Sequence, residues 1–552
     1  MRHGATAWPP ELAELYRTEG YWRGLPLGLL PEQWAARYGD RTALVDGTTR
    51  ITYRELATRV ESAATNLTVL GLEPGDNLLV QLPNCHQLVL LVLACARIGV
   101  APVLLLPAHR ERELVALGRH TGAVALATTA TTRGYDHAAQ ARRVAEQVPS
   151  IRRLLIAGCE EEAGTETDLD ALLDSPPVLP AALPDPDPSD VALFLLSGGT
   201  TGTPKVIART HNDYEYNFRG SAAVCGFDTG TVYLAALPAA HNFVLGSPGV
   251  LGTLASGGQA VFVASPSPTA VFDAIKTHGV THLAAVPAVL RRWMESAERT
   301  SIDLPSLRVV QVGGERLEPE TVRRAAQVLD CRIQQVFGMA EGLLNYTRPD
   351  DSRWAAEETQ GRPMSPHDEI RVIDANGEET AAGEPGELLT RGPYTPRGYF
   401  RAPEHNRTAF TADGWFRTGD VVRRDAAGNL VVVGRIKDVI NRGGEKIAAD
   451  EIEHLLAELP EIADAAVVPY PDPDLGERVG AFVVLREGRT LSTGEAVQRL
   501  TASGIAAYKL PEQLWVVDTL PQTAVGKTDK QALRRLVADR AADRAADPQY
   551  QH

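Results

Sequence analysis

Residues 196–209 read LSGGTTGTPKVIAR, a run of small and hydroxyl-bearing residues from Ser197 to Thr203 that ends in Pro204-Lys205 and a fresh apolar strand. The glycines let backbone N–H groups approach a ligand closely, the hydroxyls donate hydrogen bonds and Lys205 adds a cation. Such a set suits a polyphosphate. Ahead of it VALFLLS, residues 191–197, is an apolar run of strand length, so the loop leaves the end of a buried strand, where α/β sheets bind ligands. The pattern departs from the P-loop G-x-x-x-x-G-K-[ST]. Thr203 and Pro204 separate Gly202 from Lys205, and Val206 stands where that motif needs a magnesium-binding hydroxyl. This argues against a Walker fold and leaves a plain Gly/Thr surface loop as the alternative.

Outward from the loop, helical and strand patterns alternate. Thr52-Tyr-Arg-Glu55 is a capping box opening an amphipathic helix that ends near Gly71, and Asn77 to Leu82 follows as a strand. Strand candidates continue at VAPVLLL, AVALATT, LLIAG, VALFLLS, TVYLAAL, QAVFVAS, THLAAV, LRVVQVGG and RIQQVFG, with helical stretches such as PTAVFDAIKTHG between them. The alternation predicts an α/β fold of largely parallel sheets covered by helices. The proline-rich segment 176–190 is a connector that delivers the chain to the loop. Beyond about residue 365 shorter strands, DEIRVID, GELLTRG and NLVVVGR, predict a smaller β-rich subdomain. A last region has its own helix, AADEIEHLLAEL, and strands AAVVPY and GAFVVL, an α+β unit. The expected division is 1–435 and 436–552, the latter closing in a charged, Ala-rich tail that reads as a solvated helix or frayed end.

At 552 residues the chain exceeds one core, so at least two domains are expected. Its 44% hydrophobic and 23% charged residues are ordinary for a soluble globular protein, and a net charge of −15 repels nucleic acid. Five scattered cysteines, without a C-x-x-C pair, read as reduced structural thiols. No signal-peptide pattern follows Met1, and the most apolar stretch, from Leu88, meets Arg97 well short of the ~20 residues a membrane span needs. A cytoplasmic protein with neither nucleic acid nor membrane as partner is expected.

Further motifs follow the loop in order: FGMAEG at 337–342, GELLTRGPYTPRGYF at 386–400, TGD at 418–420, GRIKD at 434–438 and TAVGK at 523–527. Together with SGGTTGTPK they resemble the acyl-adenylate-forming superfamily over nearly the whole chain. Within it, AHNFVLGSPGVLG at 240–252 and QVFGMAEGLLNYTR at 335–348 look like the stand-alone aryl acid adenylating enzymes, the 2,3-dihydroxybenzoate-AMP and salicylate-AMP ligases.

The chemistry accounts for the residue types. A carboxylate that attacks the α-phosphorus of ATP is already ionised, since carboxyl groups titrate near ~4, and needs no general base. It needs relief from charge repulsion, about 4 kcal/mol for two unit charges ~4 Å apart at an effective dielectric of 20. Cations and fixed donors supply that relief.

The resemblance implies the following roles. Lys527 contacts the substrate carboxylate and the α-phosphate, with Lys205 as a helper cation. Ser197, Gly198, Gly199, Thr200, Thr201, Gly202 and Thr203 hold the β- and γ-phosphates. Glu341, joined by Thr201, holds Mg2+, which takes oxygen ligands. Asp420 accepts from the ribose hydroxyls, Arg435 lies near ribose and phosphate, and Gly314, Val336, Gly338 and Met339 line the nucleotide region. His241, Asn242, Phe243, Ser247, Gly313 and Leu344 form the acid pocket, with Asn242 on the 2-hydroxyl and Ser247 beside carbon 3. Serine at 247 resembles the dihydroxybenzoate enzymes and leucine at 344 the salicylate enzymes, while Gly246 returns some space. Lys437 is the hinge for a second half-reaction. No serine follows Lys527, so the acceptor arrives in trans.

The implied function is ATP- and Mg2+-dependent activation of an ortho-hydroxy aryl acid, 2,3-dihydroxybenzoate ahead of salicylate. Transfer to the phosphopantetheine arm of a separate aryl carrier protein follows, in siderophore or nonribosomal peptide biosynthesis. An aromatic acid–CoA ligase is the nearest alternative and a non-catalytic nucleotide-binding scaffold a more distant one. 3-Hydroxyanthranilate and 3-hydroxypicolinate are alternative acids.

Overall fold

The computed structural model describes residues 1–159, 164–176, 183–197, 204–442, 445–472, 475–503, 505, 507–523 and 526–546. Two compact units result, Met1–Glu369 with Thr390–Phe416, and Ile370–Leu389 with Arg417–His552.

In the first unit, one sheet runs in the order Val206–Thr210, Val191–Leu196, Ala101–Leu104, Asn77–Gln81, Ala125–Thr129, Arg153–Ala157 and Glu166–Asp168. Its pairs are parallel except the first, where Val191–Leu196 and Val206–Thr210 run antiparallel. The glycine-rich loop therefore joins two antiparallel strands rather than a strand to a helix, which is the difference from a Walker fold that the displaced lysine implied. A second sheet has a parallel centre, Val309–Gly313, His282–Ala285, Val232–Ala235 and Gln259–Phe262, extended on one side by Arg332–Met339 and Gly342–Tyr346. That last pair is antiparallel, with Gly338 opposite Leu344.

The helices form where the patterns place them. Thr52 caps Tyr53–Val69 in a reciprocal capping box with Glu55, and Leu56, Val60, Ala63, Ala64 and Leu67 bury one face. Helix His86–Arg97 is apolar all round and buried from Leu88 to Ala96, so it is a core helix. Among the described residues no helix is long and apolar enough to cross a membrane.

In the second unit, Phe416–Arg424 and Leu430–Arg435 form an antiparallel ladder in the small β-rich sheet. This ladder groups with the C-terminal region, because helix Ala449–Ala457 packs on Leu430–Arg435. The compact division thus falls on the N-terminal side of residue 435, the point at which the motif pattern puts the joint. Strands Ile462–Asp472, Gly476–Leu485 and Gln513–Val516 and helices Ala449–Ala457 and Thr493–Ala502 enclose a separate core around Ile452, Val467, Ala481 and Leu500. The Ala-rich tail is helical over Lys530–Ala546.

Candidate active site

The two ends of the glycine-rich loop are tied to one another. Ser197 N–H donates to the Lys205 carbonyl at 2.9 Å, and Lys205 N–H donates to Ser197 Oγ at 3.0 Å. Gly198, Gly199, Thr200, Thr201, Gly202 and Thr203 lie outside the described residues. The Lys205 ammonium stands 5.9 Å from the centre of the Tyr399 ring, and Tyr399 OH donates to Glu341 Oε1 at 2.7 Å. Loop lysine and acidic residue thus flank one aromatic ring.

Glu341 sits in the turn between strands Arg332–Met339 and Gly342–Tyr346. Gly342 has φ +115°, and a Cβ there would meet the Thr395 backbone at 2.7 Å, so the turn requires glycine. From below, Arg209 Nη1 donates to the Ala340 carbonyl at 3.0 Å. The Arg209 side chain is wholly buried and ion-paired to Asp213 at 2.6 Å, and it donates further to Asn217 Oδ1 and the Tyr394 carbonyl at 3.1 and 3.2 Å. A buried charge is tolerated when it is paired and hydrogen-bonded, as Arg209 is through these four bonds, and this one braces the Glu341 turn.

Of the residues expected at the acid pocket, His241, Asn242, Phe243 and Ser247 lie on one short segment, and the Phe243 ring packs on Gly313. His241 caps the short helix Asn242–Gly246 by accepting the Phe243 N–H at its Nδ1, 3.2 Å away. Asn242 and Ser247 are buried. Tyr214 OH donates to Asn242 Oδ1 at 3.0 Å, and Asn242 Nδ2 donates to Ser247 Oγ at 3.1 Å. A Cβ on Gly313 would stand 3.3 Å from the Phe243 ring and 2.8 Å from the Val336 carbonyl, so the glycine is what admits the ring. A Cβ on Gly338 would strike Leu344 Cδ2 at 2.4 Å. Leu344 is buried, and its N–H donates to Tyr394 OH at 3.0 Å. Tyr394 in turn donates to Asp368, whose carboxyl burial pushes up to about 7. Gly314 has φ +97° at the end of its strand, and Met339 faces Gly342 across a bulge.

In the second unit, Asp420 is buried opposite Arg435, whose Nε reaches Asp420 Oδ1 at 2.7 Å. Gly419, inside the strand Phe416–Arg424 just before Asp420, has φ +72°, a backbone conformation that favours glycine. Lys527 closes a tight turn: Thr523 N–H donates to its carbonyl at 2.7 Å, and its own N–H donates to Thr523 Oγ1 at 3.2 Å. Gly526 at φ +82° allows that turn. Nearby, Lys530 bridges Asp450 and Glu453, each at 2.9 Å, and Arg534 holds Asp438 at 2.7 Å. Lys437 lies in the turn Ile436–Asp438 next to that aspartate.

The five cysteines form no disulfide, and burial pushes the thiols of Cys85, Cys225 and Cys331 up to about 12, which disfavours their reactive thiolate form. Sequence reasoning missed Arg209, Tyr214 and Tyr399. A charged residue inside the apolar strand VIART followed by Asp213 at i+4 was a signal for the first. Tyr399 falls inside the motif GELLTRGPYTPRGYF, but nothing local ties it to Glu341, and Tyr214 carried no signal, since both partners are remote in the chain.

The ordered motifs on this fold match one family. The AMP-binding enzyme model matches residues 31–400 and the AMP-binding enzyme C-terminal domain model residues 451–527. The chain belongs to the AMP-binding enzyme family. It is an adenylate-forming ligase, and ATP is the nucleotide that family uses. Among curated relatives it is 55% identical to a Streptomyces "Salicylyl-CoA synthase / salicylate adenylyltransferase", over 98% of this chain and 99% of that one. It is 46% identical to the 2,3-dihydroxybenzoate-AMP ligase of Bacillus subtilis, again over 98% and 99%. Among solved structures, apo MbtA of Mycobacterium smegmatis aligns with a TM-score of 0.74 at 43% identity, covering 96% of this chain and 98% of that one.

Proposed function

We propose that this ligase activates an ortho-hydroxy aryl acid, 2,3-dihydroxybenzoate or salicylate, and passes it to the phosphopantetheine thiol of a separate aryl carrier protein in siderophore or nonribosomal peptide biosynthesis. The observation that carries the reading is the buried polar pair Asn242–Ser247 beside Phe243, whose ring packs on Gly313; we assign buried Leu344 to the same apolar wall. An aromatic ring fits the apolar wall, and its hydroxyls answer the polar pair. The names of both relatives support it.

In the proposed reaction a carboxylate oxygen attacks the α-phosphorus, the bond to the bridging oxygen breaks and pyrophosphate leaves. The acceptor sulfur then attacks the acyl carbon, and AMP leaves. We assign Lys527 as the cation facing the carboxylate and α-phosphate, Asp420 with Arg435 to the ribose, and Ser197 and Lys205 to the pyrophosphate end. The joint at Lys437, between 1–435 and 436–552, is the proposed pivot between the two steps.

Among the described residues no group of three or more acidic, His or Cys side chains could hold a metal ion. The Glu341 carboxylate fits Mg2+ carried on nucleotide phosphates, because this ion is held by one or two carboxylates plus phosphate oxygens and water. Glu341 would be the protein ligand, Thr201 a companion, and the ion would neutralise phosphate charge.

ATP–pyrophosphate exchange over a panel of aryl acids tests the reading, and absence of exchange with every ortho-hydroxy or ortho-amino benzoate overturns it. The first relative's name favours a second acceptor, coenzyme A. Thioester yield on free coenzyme A against yield on a carrier protein separates the two.

A further inference from the structure

Asn242 and Ser247 form one end of a line of hydrogen bonds that begins at Tyr214. The Tyr214 side chain is wholly buried on helix His211–Cys225. Its hydroxyl meets Asn242 Oδ1 at 3.0 Å, and the Asn242 amide nitrogen meets Ser247 Oγ at 3.1 Å. Two features decide the direction of the line. The Arg209 guanidinium lies 5.0 Å from the centre of the Tyr214 ring and draws electron density from it, which strengthens the hydroxyl as a donor. Burial also holds that hydroxyl protonated, well above the usual tyrosine range. With Tyr214 donating, the amide is oriented with its oxygen toward the tyrosine and its NH2 toward Ser247.

The consequence is a polarity for the pocket. One Asn242 N–H is spent on Ser247 Oγ, and the other meets no acceptor among the described residues. Ser247 Oγ, already accepting, has its proton left to give. Both polar groups thus face the acid as donors. A 2-hydroxyl matches them, because its proton turns to the neighbouring carboxylate and leaves the oxygen lone pairs to accept. A 2-amino group has a second N–H that meets another donor, and a mispaired polar group is rejected more strongly than a missing methylene.

Gly246 makes the line possible. A Cβ there would stand 2.7 Å from the Tyr214 hydroxyl oxygen. Asn217 Nδ2 holds the Gly246 carbonyl, and Arg209 holds Asn217, so the glycine cannot easily withdraw.

Resting on the reading of this pocket as the acid site, we propose that Tyr214 is a positioning residue that, with the space left by Gly246, turns Asn242 and Ser247 into a donor pair selecting ortho-hydroxy over ortho-amino aryl acids. The test is steady-state exchange with 2-hydroxybenzoate and 2-aminobenzoate in the full chain, for the native protein, Tyr214→Phe and Gly246→Ala. Tyr214→Phe keeps the ring and removes only the hydroxyl. The native protein should favour the hydroxy acid by at least about tenfold in kcat/KM, the scale of one well-placed hydrogen bond. Tyr214→Phe should cut that preference by about tenfold through KM of the acid, with KM for ATP unmoved. Gly246→Ala should do the same with the tyrosine intact. A preference unchanged in Tyr214→Phe overturns the assignment, and so does a native preference for the amino acid. A native protein inactive on both acids and on every other ortho-substituted benzoate refutes the underlying reading instead.

Discussion

Ser197 and Lys205 clasp one another through two main-chain N–H groups, one donating to the Lys205 carbonyl at 2.9 Å and one to Ser197 Oγ at 3.0 Å. The serine hydroxyl that a motif reading spends on phosphate is therefore also the clasp of the loop. Ser197→Ala removes one of the two bonds. KM for ATP should rise about fivefold, the worth of one net hydrogen bond near 1 kcal/mol, with little change in thermal stability. An unchanged KM for ATP would take Ser197 out of the nucleotide site.

Lys527→Ala should lower the exchange rate by at least about 10²-fold, as loss of a single preorganised charge-stabilising donor does. ATP binding, followed by calorimetry, should survive. Undiminished exchange in that variant would contradict the role assigned to this lysine.

Leu344 packs its Cδ2 where a Cβ on Gly338 would be. With Leu344 assigned to the proposed acid pocket, Leu344→Val withdraws one methylene from its wall, so turnover of 2,3-dihydroxybenzoate should gain on salicylate by about tenfold, within the 1–3 kcal/mol of a methylene-sized change. An unaltered ratio in competition assays removes Leu344 as a determinant.

Arg209 pairs with Asp213 in full burial and braces the carbonyl of Ala340. Arg209→Met strands Asp213 without its partner and should cost about 3–5 kcal/mol in urea unfolding. Arg209→Lys should recover little of it, because an ammonium cannot serve Asp213, Asn217 and two carbonyls as the planar fork does. Wild-type stability in either variant would disprove the brace.

Asp368 carries a proton in the fold at pH values where the unfolded chain has lost it, since burial raises its carboxyl to about 7. The folded state thus binds more protons than the unfolded one between its two pKa values, and this residue makes stability fall as pH rises from about 4 to 7. Asp368→Asn keeps an acceptor for Tyr394 and removes the ionisation. Its melting temperature should vary less with pH over that window than that of the native protein. Parallel pH profiles for the two proteins would rule the ionisation out.

How much of the site could be read depended on whether its parts were neighbours in the chain. Glu341 and Lys527 sit in short turns and Asp420 in a strand, and each has a glycine beside it that announces it, Gly342, Gly526 and Gly419, all with positive φ. The residues that hold them in place do not. Tyr399 is 58 positions from Glu341 and Arg209 is 131 from Ala340, and no local pattern ties such pairs. The division into compact units shows the same limit: the motif reading expects a joint at GRIKD, at the end of strand Leu430–Arg435, whereas packing of helix Ala449–Ala457 on that strand groups it with the C-terminal unit.

The sequence by itself determined the alternating α/β fold, the departure of the glycine-rich loop from a Walker motif, the family and the residue types of the chemistry, because period, capping and turn chemistry act over a few residues. Only the tertiary structure decided which donor each acceptor meets. Tyr214, Asn242 and Ser247 come from two separate stretches of chain, and the direction of the hydrogen bonds between them, on which the choice of acid turns, exists only once burial has removed water as the competing partner.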